Sequence, residues 1–560
     1  MIGLISATAA GEAARDRLAA AWPDRVRVYE GPVGEAVRAA FAECGQLVCF
    51  LATGAVVRLL APLLGGKAAD PGVVCVDEAG RFAVSLVGGH AGGANELARA
   101  VGEVLGAEPV VTTATDAVGL AGLDTLGLPC EGSVAVVSRA LLDGEPVALE
   151  KEVPWPLPPL PVSPQGSYTV RLTDRDVAPG EREVLLRPPT LVVGVGASRG
   201  APVEEVLGLV EGALRDAGLS PRSVAELATV DAKSEEPGLV AAAERLGVPL
   251  VTYPAGELAA IEVPHPSAAP LAAVGTPSVA EAAALARGGE LLVPKRKSAM
   301  ATCAVVRRPG RGRLAVVGLG PGARDLLTPR AAAELRRASV LVGLDQYVDQ
   351  IRDLLRPGTQ VLESGLGAEE ERARTAVAEA RRGHAVALIG SGDAGVYAMA
   401  SPALAEAGDD IDVVGVPGVT AALAAAAVLG APLGHDHVSL SLSDLHTPWE
   451  VIERRVRAAA EADIVVTFYN PRSRGRDWQL PKALAILAEH REPGTPVGVV
   501  RNASRADEAG RVTTLAALDP ATVDMMTVVT VGNTATRIVA GRMVTPRGYR
   551  WQSGTREEAR

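Results

Sequence analysis

Apolar runs of strand length alternate with amphipathic stretches over the first 130 residues of the chain. The predicted strands are IGLISA, VRVYE, LVCFLA, VVCVD and FAVSLV. A helix is predicted after each of Ala9, Val33, Gly54 and Gly92. Strands that alternate with helices are typical of an α/β layer fold.

The same alternation returns at Leu191 and ends near Arg308. The run LVVGVGA predicts a strand that enters a turn, Pro202 is expected to open a helix, and ELATV, PLVTY and LLVP predict further strands. Residues 131–190 interrupt the pattern, because the proline-rich stretch PWPLPPLPVSPQG (Pro154–Gly166) cannot continue a helix or a central strand. We interpret this region as a small connecting module or linker.

A third α/β unit follows the short, breaker-rich sequence PGRGR. The sequence therefore predicts a multidomain α/β protein with two small α/β units before a larger one. The predicted boundaries are 1–130, 131–190, 191–308, a linker at 309–313, 314–549 and a polar tail at 550–560.

Size and composition fit this organisation. A chain of 560 residues should hold about three to four domains of roughly 150 residues each. Hydrophobic residues make up 48% but aromatic residues only 3%, so the cores must be built from Ala, Val and Leu, which suits parallel sheets covered by helices. A net charge of -11 argues against nonspecific nucleic-acid binding.

Five scattered cysteines contain no CxxC pair, which argues against a zinc site and fits a reducing cytosol. The N-terminus lacks the basic region of a signal peptide, and the bland stretch from Thr420 to Leu433 is too short to span a bilayer. We expect a soluble, cytoplasmic protein with no protein-bound metal and no membrane association.

Four loops in the last unit carry the strongest functional signal. They read VVGLGPG (Val316–Gly322), GSGDAGVY (Gly390–Tyr397), VPGVTAA (Val416–Ala422) and FYNPRSR (Phe468–Arg474), and each follows an apolar run of strand type. A glycine-rich loop at the carboxyl end of a strand lets backbone approach a ligand closely.

The first loop also has dinucleotide-binding spacing, from Gly318 to Ala323, with Asp345 about 20 residues beyond Ala323. A dinucleotide loop opens directly into a helix. Here the helix signal comes later, with Thr328 as a good N-cap and Pro329 as a good first residue. A nucleotide-dependent oxidoreductase is therefore retained only as an alternative.

The ordered set of four loops resembles the tetrapyrrole methyltransferases, which use S-adenosylmethionine (SAM). The wording GDAGVY followed by FYNP resembles their precorrin-3B C(17) subfamily in cobalamin biosynthesis. The resemblance covers essentially all of 313–549 and implies a two-lobed class III methyltransferase fold. It also implies methylation with ring contraction and lactone closure, on precorrin-3B or its cobalt-bearing counterpart, and a homodimer.

The resemblance assigns Gly320 and Pro321 to the floor of the cleft near the tetrapyrrole. The residues implied to contact SAM are Pro321, Ser391, Gly392, Asp393, Val396, Tyr397, Thr420, Ala421, Tyr469, Asn470 and Asn502. The sequence departs from the wider family's GPGD, since it has GPGA with Asp325 two residues later. Asp325 is the candidate general base, with Asp393, His435 and His437 as further candidates. A solvated loop is the alternative for the two histidines.

Arginines in and near the fourth loop are candidates for binding the substrate's acetates and propionates, because guanidinium pairs with carboxylate in a bidentate manner. Arg472 and Arg474 lie in this loop, and ordinary surface charge is the alternative. Further candidates are Arg476, Arg501 and Arg505.

The first 308 residues resemble a second family, the cobalt-precorrin-5A hydrolases. The motifs that carry the resemblance, in order, are TGAVVR, DEAGRFAVSLVGGHAGGAN, TTATD, GVGASRG, TVDAKSEEPGL and PKRKSAMATCAV. The resemblance implies opening of a lactone and release of its two-carbon fragment as acetaldehyde.

The motif GGHAGGAN predicts a glycine-rich turn that feeds a helix, with Asn95 near the helix N-terminus, where anions bind. His90 is the candidate general base that delivers water, although a lone histidine in a turn can be structural. Lys297 belongs to a basic cluster that could hold propionates. Asp77, Glu78, Asp116 and Lys233 are weaker candidates.

The sequence therefore predicts a bifunctional enzyme that binds a tetrapyrrole and SAM. One alternative keeps only the methyltransferase and makes the N-terminal half a noncatalytic tetrapyrrole-binding module. The absence of HExxH from the sequence disfavours the zinc hydrolase chemistry that this motif supports.

Overall fold

The computed structural model describes residues 1–66, 69–90, 92–267, 275–473 and 475–548. The chain divides into two compact units. The N-terminal unit contains Met1–Gly310 and the short segment Arg356–Gly358. The C-terminal unit contains Arg311–Leu355 and the described residues from Thr359 onward.

The N-terminal unit begins with a six-stranded sheet in the order β2-β1-β3-β4-β5-β6. Only the β4–β5 pair is antiparallel among these neighbours, so β5 and β6 run together and their carboxyl ends share an edge. The strands are β1 (Ile2–Ser6), β2 (Val26–Tyr29), β3 (Gln46–Phe50), β4 (Gly72–Val76), β5 (Phe82–Val87) and β6 (Glu108–Val110). The helices are α1 (Ala9–Ala21), α2 (Val33–Glu43), α3 (Thr53–Leu60), α4 (Ala94–Leu105) and α5 (Ala114–Ala117).

The region between the two small α/β units holds a sheet of its own, in the order β7-β10-β9-β8. Its elements are β7 (Cys130–Gly132), α6 (Val134–Asp143), β8 (Val147–Lys151), β9 (Tyr168–Leu172) and β10 (Glu183–Leu186). The proline-rich stretch Pro154–Gly166 contains neither helix nor strand, as the missing amide donors predict. A 3₁₀ turn at Leu123–Thr125 precedes this sheet.

A third sheet, in the order β13-β12-β11-β15-β14, completes the N-terminal unit. Helix α7 begins directly after Pro202, as expected. The strands are β11 (Leu191–Ala197), β12 (Val224–Val230), β13 (Leu250–Tyr253), β14 (Glu290–Lys297) and β15 (Ala301–Arg307). The helices are α7 (Val203–Asp216), α8 (Pro237–Leu246), α9 (Ala255–Ala259) and α10 (Val279–Leu285).

The C-terminal unit begins with a parallel sheet in the order β18-β17-β19-β16-β20. Helix α11 starts where the sequence predicts, because Thr328 accepts a hydrogen bond from Ala331 N and Pro329 is the first helical residue. The strands are β16 (Arg313–Gly318), β17 (Val340–Leu344), β18 (Gln360–Ser364), β19 (Ala385–Gly390) and β20 (Asp412–Val416). The helices are α11 (Pro329–Arg337), α12 (Asp345–Ile351), α13 (Glu369–Arg381) and α14 (Ala400–Glu406).

A second lobe of the C-terminal unit has a mixed sheet in the order β22-β23-β26-β24-β25 and a small sheet in the order β21-β28-β27. The buried Phe468 lies in its core between strands and helices. The helices are α15 (Ala421–Leu429), α16 (Trp449–Glu461) and α17 (Gln479–Ala488). The strands are β21 (Gly430–Ala431), β22 (His437–Ser441), β23 (Val465–Tyr469), β24 (Pro496–Arg501), β25 (Ala509–Thr514), β26 (Thr527–Val531), β27 (Arg537–Val539) and β28 (Arg542–Val544).

Helices in the described ranges are either too short or too polar to cross a bilayer.

Candidate functional site

Three of the four predicted loops meet at one edge of the first C-terminal sheet. Strands β19, β16 and β20 are parallel neighbours, so their carboxyl ends lie side by side. The first two loops are also joined by backbone hydrogen bonds, from Gly320 N to Gly392 O at 3.0 Å and from Gly392 N to Gly320 O at 2.8 Å. The motifs that are separated by about 70 residues in the sequence therefore form one continuous backbone surface.

Glycine is required where these loops touch. A Cβ atom built on Gly418 would lie 2.2 Å from Gly392 O and 2.7 Å from Gly318 O. A Cβ on Gly318 would lie 2.7 Å from Gly392 O. Real Cβ atoms do not approach backbone oxygens this closely, so the three loops can pack together only without side chains at these positions.

Asp393 ties the second loop to the third. Its Oδ1 accepts a hydrogen bond from Gly395 N at 2.8 Å, and its Oδ2 accepts one from Gly418 N at 3.0 Å. Each carboxylate oxygen retains a second lone pair, so this half-buried side chain can brace the loops and still accept a ligand hydroxyl or ammonium group.

Tyr469 connects the fourth loop to the start of helix α15. Its hydroxyl accepts a hydrogen bond from Ala422 N at 2.8 Å and lies 2.5 Å from Thr420 Oγ1. The ring also packs on Tyr397, with centroids 5.2 Å apart and planes tilted by 56°. These contacts join the third loop to Tyr469 of the fourth loop, and Tyr469 in turn packs on Tyr397 of the second loop.

Four of the six non-glycine residues with positive φ in the described ranges lie in these loops or in the segment directly after β24. The φ angles of Tyr397, Asn470, Asn502 and Ser504 are 54°, 49°, 50° and 64°, a region that non-glycine residues rarely adopt. Residues held in this conformation cluster at ligand sites. Tyr397 is in addition 53% exposed, so a large aromatic face is available at this edge.

Asn502 has a buried oxygen with an unused acceptor. Its Nδ2 donates to Asp507 Oδ2 at 2.6 Å, and this hydrogen bond is the largest of the causes that lower the pKa of Asp507. Its Oδ1 has no hydrogen-bond partner within the described part of the chain. A buried amide oxygen without a donor is costly, so this position suits a ligand that brings an N–H or O–H group.

The GPGA loop is tied to the segment after β24. Arg505 Nε donates to Pro321 O at 3.1 Å, and Ala323 N donates to Ser504 Oγ at 3.2 Å. Asp325 follows in an exposed 3₁₀ turn at Arg324–Leu326. The structure therefore fixes the glycines of this loop but leaves Asp325 facing solvent.

The candidate substrate arginines have different environments. Arg472 is half-buried and donates to Ala521 O at 2.9 Å, whereas Arg474 lies outside the described residues. Arg476 is buried and donates to the carbonyls of Leu442 and Asn470. Burial lowers the pKa of Arg476, and its hydrogen bonds to these two carbonyls brace the loop internally.

Two further arginines of that group are also engaged within the protein. Arg501 pairs with Asp524 at 2.8 Å and with Asp507 at 3.1 Å. Arg505, as described, holds the GPGA loop. Arg472 and Arg505 are both half-buried and each donates to a backbone carbonyl, whereas Arg476 is buried and Arg501 is paired with two carboxylates.

A second polar cluster lies where β5 and β6 end in the N-terminal unit. His90, in the turn after β5, has its Nε2 3.2 Å from Asp116 Oδ2 and its Nδ1 3.1 Å from Asp124 Oδ1. The two hydrogen bonds raise the pKa of His90, Asp124 making the largest contribution. The ring packs against Gly122, where a Cβ atom would lie 2.7 Å from Nδ1.

Asn95 has a different role from the one its motif predicts. The side chain is buried, its Oδ1 accepts from Ser85 Oγ at 2.7 Å, and its Nδ2 donates to Thr113 Oγ1 at 3.1 Å and to Asp116 Oδ2 at 3.2 Å. With both amide hydrogens used, Asn95 positions Asp116 and is not available to a substrate.

Of the other N-terminal candidates, Asp116 lies against His90, whereas Lys297 does not. Lys297 ends β14, in a different sheet, where it is exposed. Thr115, which belongs to the TTATD motif, has its Oγ1 3.3 Å from His90 Nε2. The residues of this cluster that lie outside the motifs are Asp124 and, through Asp116, Arg99, whose Nη2 donates to Asp116 Oδ1 at 2.8 Å. Asp124 lies 34 positions from His90, so no local pattern could have identified it.

Comparison with known proteins matches three family profiles to parts of this chain. A family profile described as Tetrapyrrole (Corrin/Porphyrin) Methylases matches residues 313–519. Profiles described as Cobalamin synthesis G N-terminal and Cobalamin synthesis G C-terminus match residues 35–116 and 191–306.

Similar curated proteins align with the C-terminal unit. The probable cobalt-factor III C(17)-methyltransferase of Salmonella typhimurium is 46% identical over 239 residues, which are 42% of this chain and 99% of that protein. The precorrin-3B C(17)-methyltransferase of a Sinorhizobium species is 43% identical over 235 residues, which are 41% of this chain and 91% of that protein. The crystal structure of the methyltransferase CobJ is 41% identical, with 42% of this chain and all of that chain covered and a TM-score of 0.41.

Proposed function

Because the chain belongs to the tetrapyrrole (corrin/porphyrin) methylases over residues 313–519, we propose that its C-terminal unit methylates carbon 17 of precorrin-3B or cobalt-factor III, with contraction of the ring. The observation that carries the proposal is the joining of the predicted loops at one sheet edge through Gly320 and Gly392. A cobalt ion, if present, arrives with the substrate.

The residues at this edge fit SAM as the methyl donor. SAM supplies an activated methyl group on its sulfonium. The surface formed by Gly318, Gly392 and Gly418, here called the glycine edge, would lie against SAM. Asp393 would accept a hydrogen bond from the ribose or ammonium group of SAM, and the unused Oδ1 of Asn502 would accept one from its adenine. Tyr469 and Thr420 would lie against it, since their hydroxyls and the start of α15 are already joined.

Alignment of the reacting groups is the main contribution expected of this unit. A positioned methyl donor and acceptor can lower the barrier by about 7–11 kcal/mol relative to free encounter. The strained loop residues and the rigid glycine contacts supply such positioning. Ring contraction and lactone closure also need proton transfer, for which we keep Asp325 and Asp393 as candidates.

Turnover of metal-free precorrin-3B and of cobalt-factor III with SAM, followed by mass spectrometry, tests the proposed reaction. A ring-contracted product that carries one additional methyl group is expected from one of the two substrates. Calorimetry on the full chain with SAM and with NAD provides an independent test. NAD binding without SAM binding would favour the oxidoreductase alternative and would refute this proposal.

For the N-terminal unit we propose lactone-opening hydrolysis of cobalt-precorrin-5A with release of acetaldehyde. The two cobalamin synthesis G profiles and the polar cluster around His90 support it. A noncatalytic tetrapyrrole-binding module is the alternative. Acetaldehyde release from the lactone-bearing substrate, lost in His90→Gln with methylation intact, distinguishes hydrolysis from binding alone.

We further propose a cytoplasmic homodimer, because the family resemblance implies dimers. Exposed apolar side chains on α15 and β27 give the C-terminal unit a surface suited to association. They are Leu423, Val428, Ile538 and Val539. Light scattering should give twice the chain mass, and a monomer at micromolar concentration would contradict this state.

A further inference from the structure

The His90 ring lies between two carboxylates, which restricts its protonation state. A carboxylate accepts hydrogen bonds and donates none, so the contacts from Nδ1 to Asp124 and from Nε2 to Asp116 both form only when both ring nitrogens carry hydrogen. The ring is then an imidazolium, which has no lone pair with which to remove a proton from water.

Asp116 is held in its ionised form by other groups. Thr113 Oγ1 and Asn95 Nδ2 donate to its Oδ2, and Arg99 donates to its Oδ1. The hydrogen bond from Thr113 is the largest of the causes that lower the pKa of Asp116. Asp116 therefore cannot supply the missing hydrogen to a neutral histidine.

The charges around the ring come from three elements. Asp124 lies in the 3₁₀ turn, Asp116 in α5 and Arg99 in α4, where Glu96 lies 3.5 Å from Arg99. The side chain of His90 is only 12% exposed, so water screens these contacts weakly. The two carboxylates, the imidazolium of His90 and the guanidinium of Arg99 together carry a net charge close to zero.

The hydrogen on Nε2 is held less firmly than the one on Nδ1. Asp116 Oδ2 has only two lone pairs, but His90 Nε2, Asn95 Nδ2 and Thr113 Oγ1 all lie within hydrogen-bond distance of it. Thr115 Oγ1 also lies 3.3 Å from His90 Nε2. An incoming oxygen that replaced Thr115 could therefore take this hydrogen.

We propose that His90 is the general acid of lactone opening and gives its Nε2 hydrogen to the leaving ring oxygen. This inference rests on the hydrolase function proposed for the N-terminal unit. Water forms a bond to the acyl carbon as the bond from that carbon to the ring oxygen breaks. The ring oxygen takes the proton from His90, and the neutral imidazole recovers a proton from the attacking water, so the products are the alcohol and the carboxylic acid.

The dependence of the rate on pH distinguishes an acid from a base. We expect the rate of lactone opening in the full-length protein, measured by mass spectrometry, to fall as pH rises through the pKa of His90. His90→Gln should lower the rate at least about 100-fold. A rate that falls only toward acid, through the same group, would make His90 a base and overturn the proposal.

Variants of the two carboxylates test the geometry directly. Asp116→Asn and Asp124→Asn should each move the alkaline fall in rate to lower pH, because each removes a negative charge from the ring. Asp143→Asn is the matched control, since Asp143 pairs with Arg139 on the exposed face of α6, and its profile should match wild type. An unmoved profile in both test variants would refute the role of His90.

Nitrogen NMR of the full-length protein separates this inference from the hydrolase function. Both ring nitrogens of His90 should be protonated at neutral pH, and a neutral ring would overturn the inference even if lactone opening occurs. Absence of lactone opening with a protonated ring would refute the hydrolase function itself, and with it the acid role.

Discussion

Both candidate sites lie at the carboxyl ends of parallel strands, but they differ in whether backbone or side chains form the site. The C-terminal edge is made of backbone, with Gly318, Gly392 and Gly418 in contact, whereas the N-terminal cluster is made of charged side chains around His90. A methyl donor that is already activated needs alignment, which rigid backbone supplies. Hydrolysis needs a proton that moves, which requires titratable groups.

Substitution of Gly418 by Ala should break the C-terminal site most severely. The new Cβ would clash with Gly392 O at 2.2 Å, and relief would require movement of two neighbouring loops. We expect a loss of about 1–3 kcal/mol in the free energy of unfolding and at least about 10-fold weaker SAM binding.

Calorimetry and denaturant unfolding measure both quantities. Gly415→Ala is the matched control, because Gly415 lies in β20, three residues before Gly418, with nothing within 4 Å of the new Cβ. Similar SAM affinity in the two variants would show that the glycine contacts do not shape the site.

Removal of the Tyr469 hydroxyl should have the next largest effect on stability and on SAM affinity. Tyr469→Phe leaves Ala422 N without this acceptor and Thr420 Oγ1 without this partner, at a cost of about 1–3 kcal/mol. SAM affinity should fall about 10-fold by calorimetry. Tyr397→Phe removes the hydroxyl that donates to Ser439 O, without releasing the start of α15, and should cost less. The reverse order would contradict the view that Tyr469 fixes the start of α15.

Removal of Arg472 and Arg474 tests whether side-chain charge matters at the C-terminal site at all. The double Ala variant should raise the KM for the tetrapyrrole about 10-fold and leave the Kd for SAM unchanged. Arg374→Ala, an exposed arginine on α13 paired with Glu370, controls for loss of surface charge. An unchanged KM in the double variant would show that other groups bind the carboxylates of the substrate.

A smaller effect should appear in the stability of the N-terminal unit. The folded pKa of His90 is raised, so its contribution is fully present below the unfolded value of 6.5 and is lost as pH rises through the folded value. Calorimetric melting should therefore show wild type losing more stability than His90→Gln as pH rises across this range. Equal losses would indicate that His90 has no carboxylate partners in solution.

Local sequence signals predicted the scaffold of the C-terminal site well. Thr328 and Pro329 begin α11 as their capping preferences require, and the four motifs follow strands as their apolar runs predict. The mutual contacts of Gly318, Gly392 and Gly418 could not be foreseen, because strand order decides which loops become neighbours.

The N-terminal site was harder to predict from sequence. The motif identified His90, but its protonation depends on Asp124, which lies in a separate turn and belongs to no motif. The short strands of the sheet between residues 130 and 186 were also missed, since runs of three to five residues beside a proline-rich stretch carry little periodic signal. Asn95 shows the limit of motif reading, because burial gave it an internal role.

The contact of three glycine backbones has an evolutionary consequence. Selection adjusts a binding surface by exchanging side chains, but a Cβ atom at Gly318 or Gly418 would clash with Gly392 O, and Gly392 itself has a φ of 69°, which other residues rarely adopt. Under the proposed function, descendants of such a protein could acquire a preference for a different ring carbon only through the residues that surround this edge. The three glycines would then be retained while the surrounding residues, and the reactions that they support, changed.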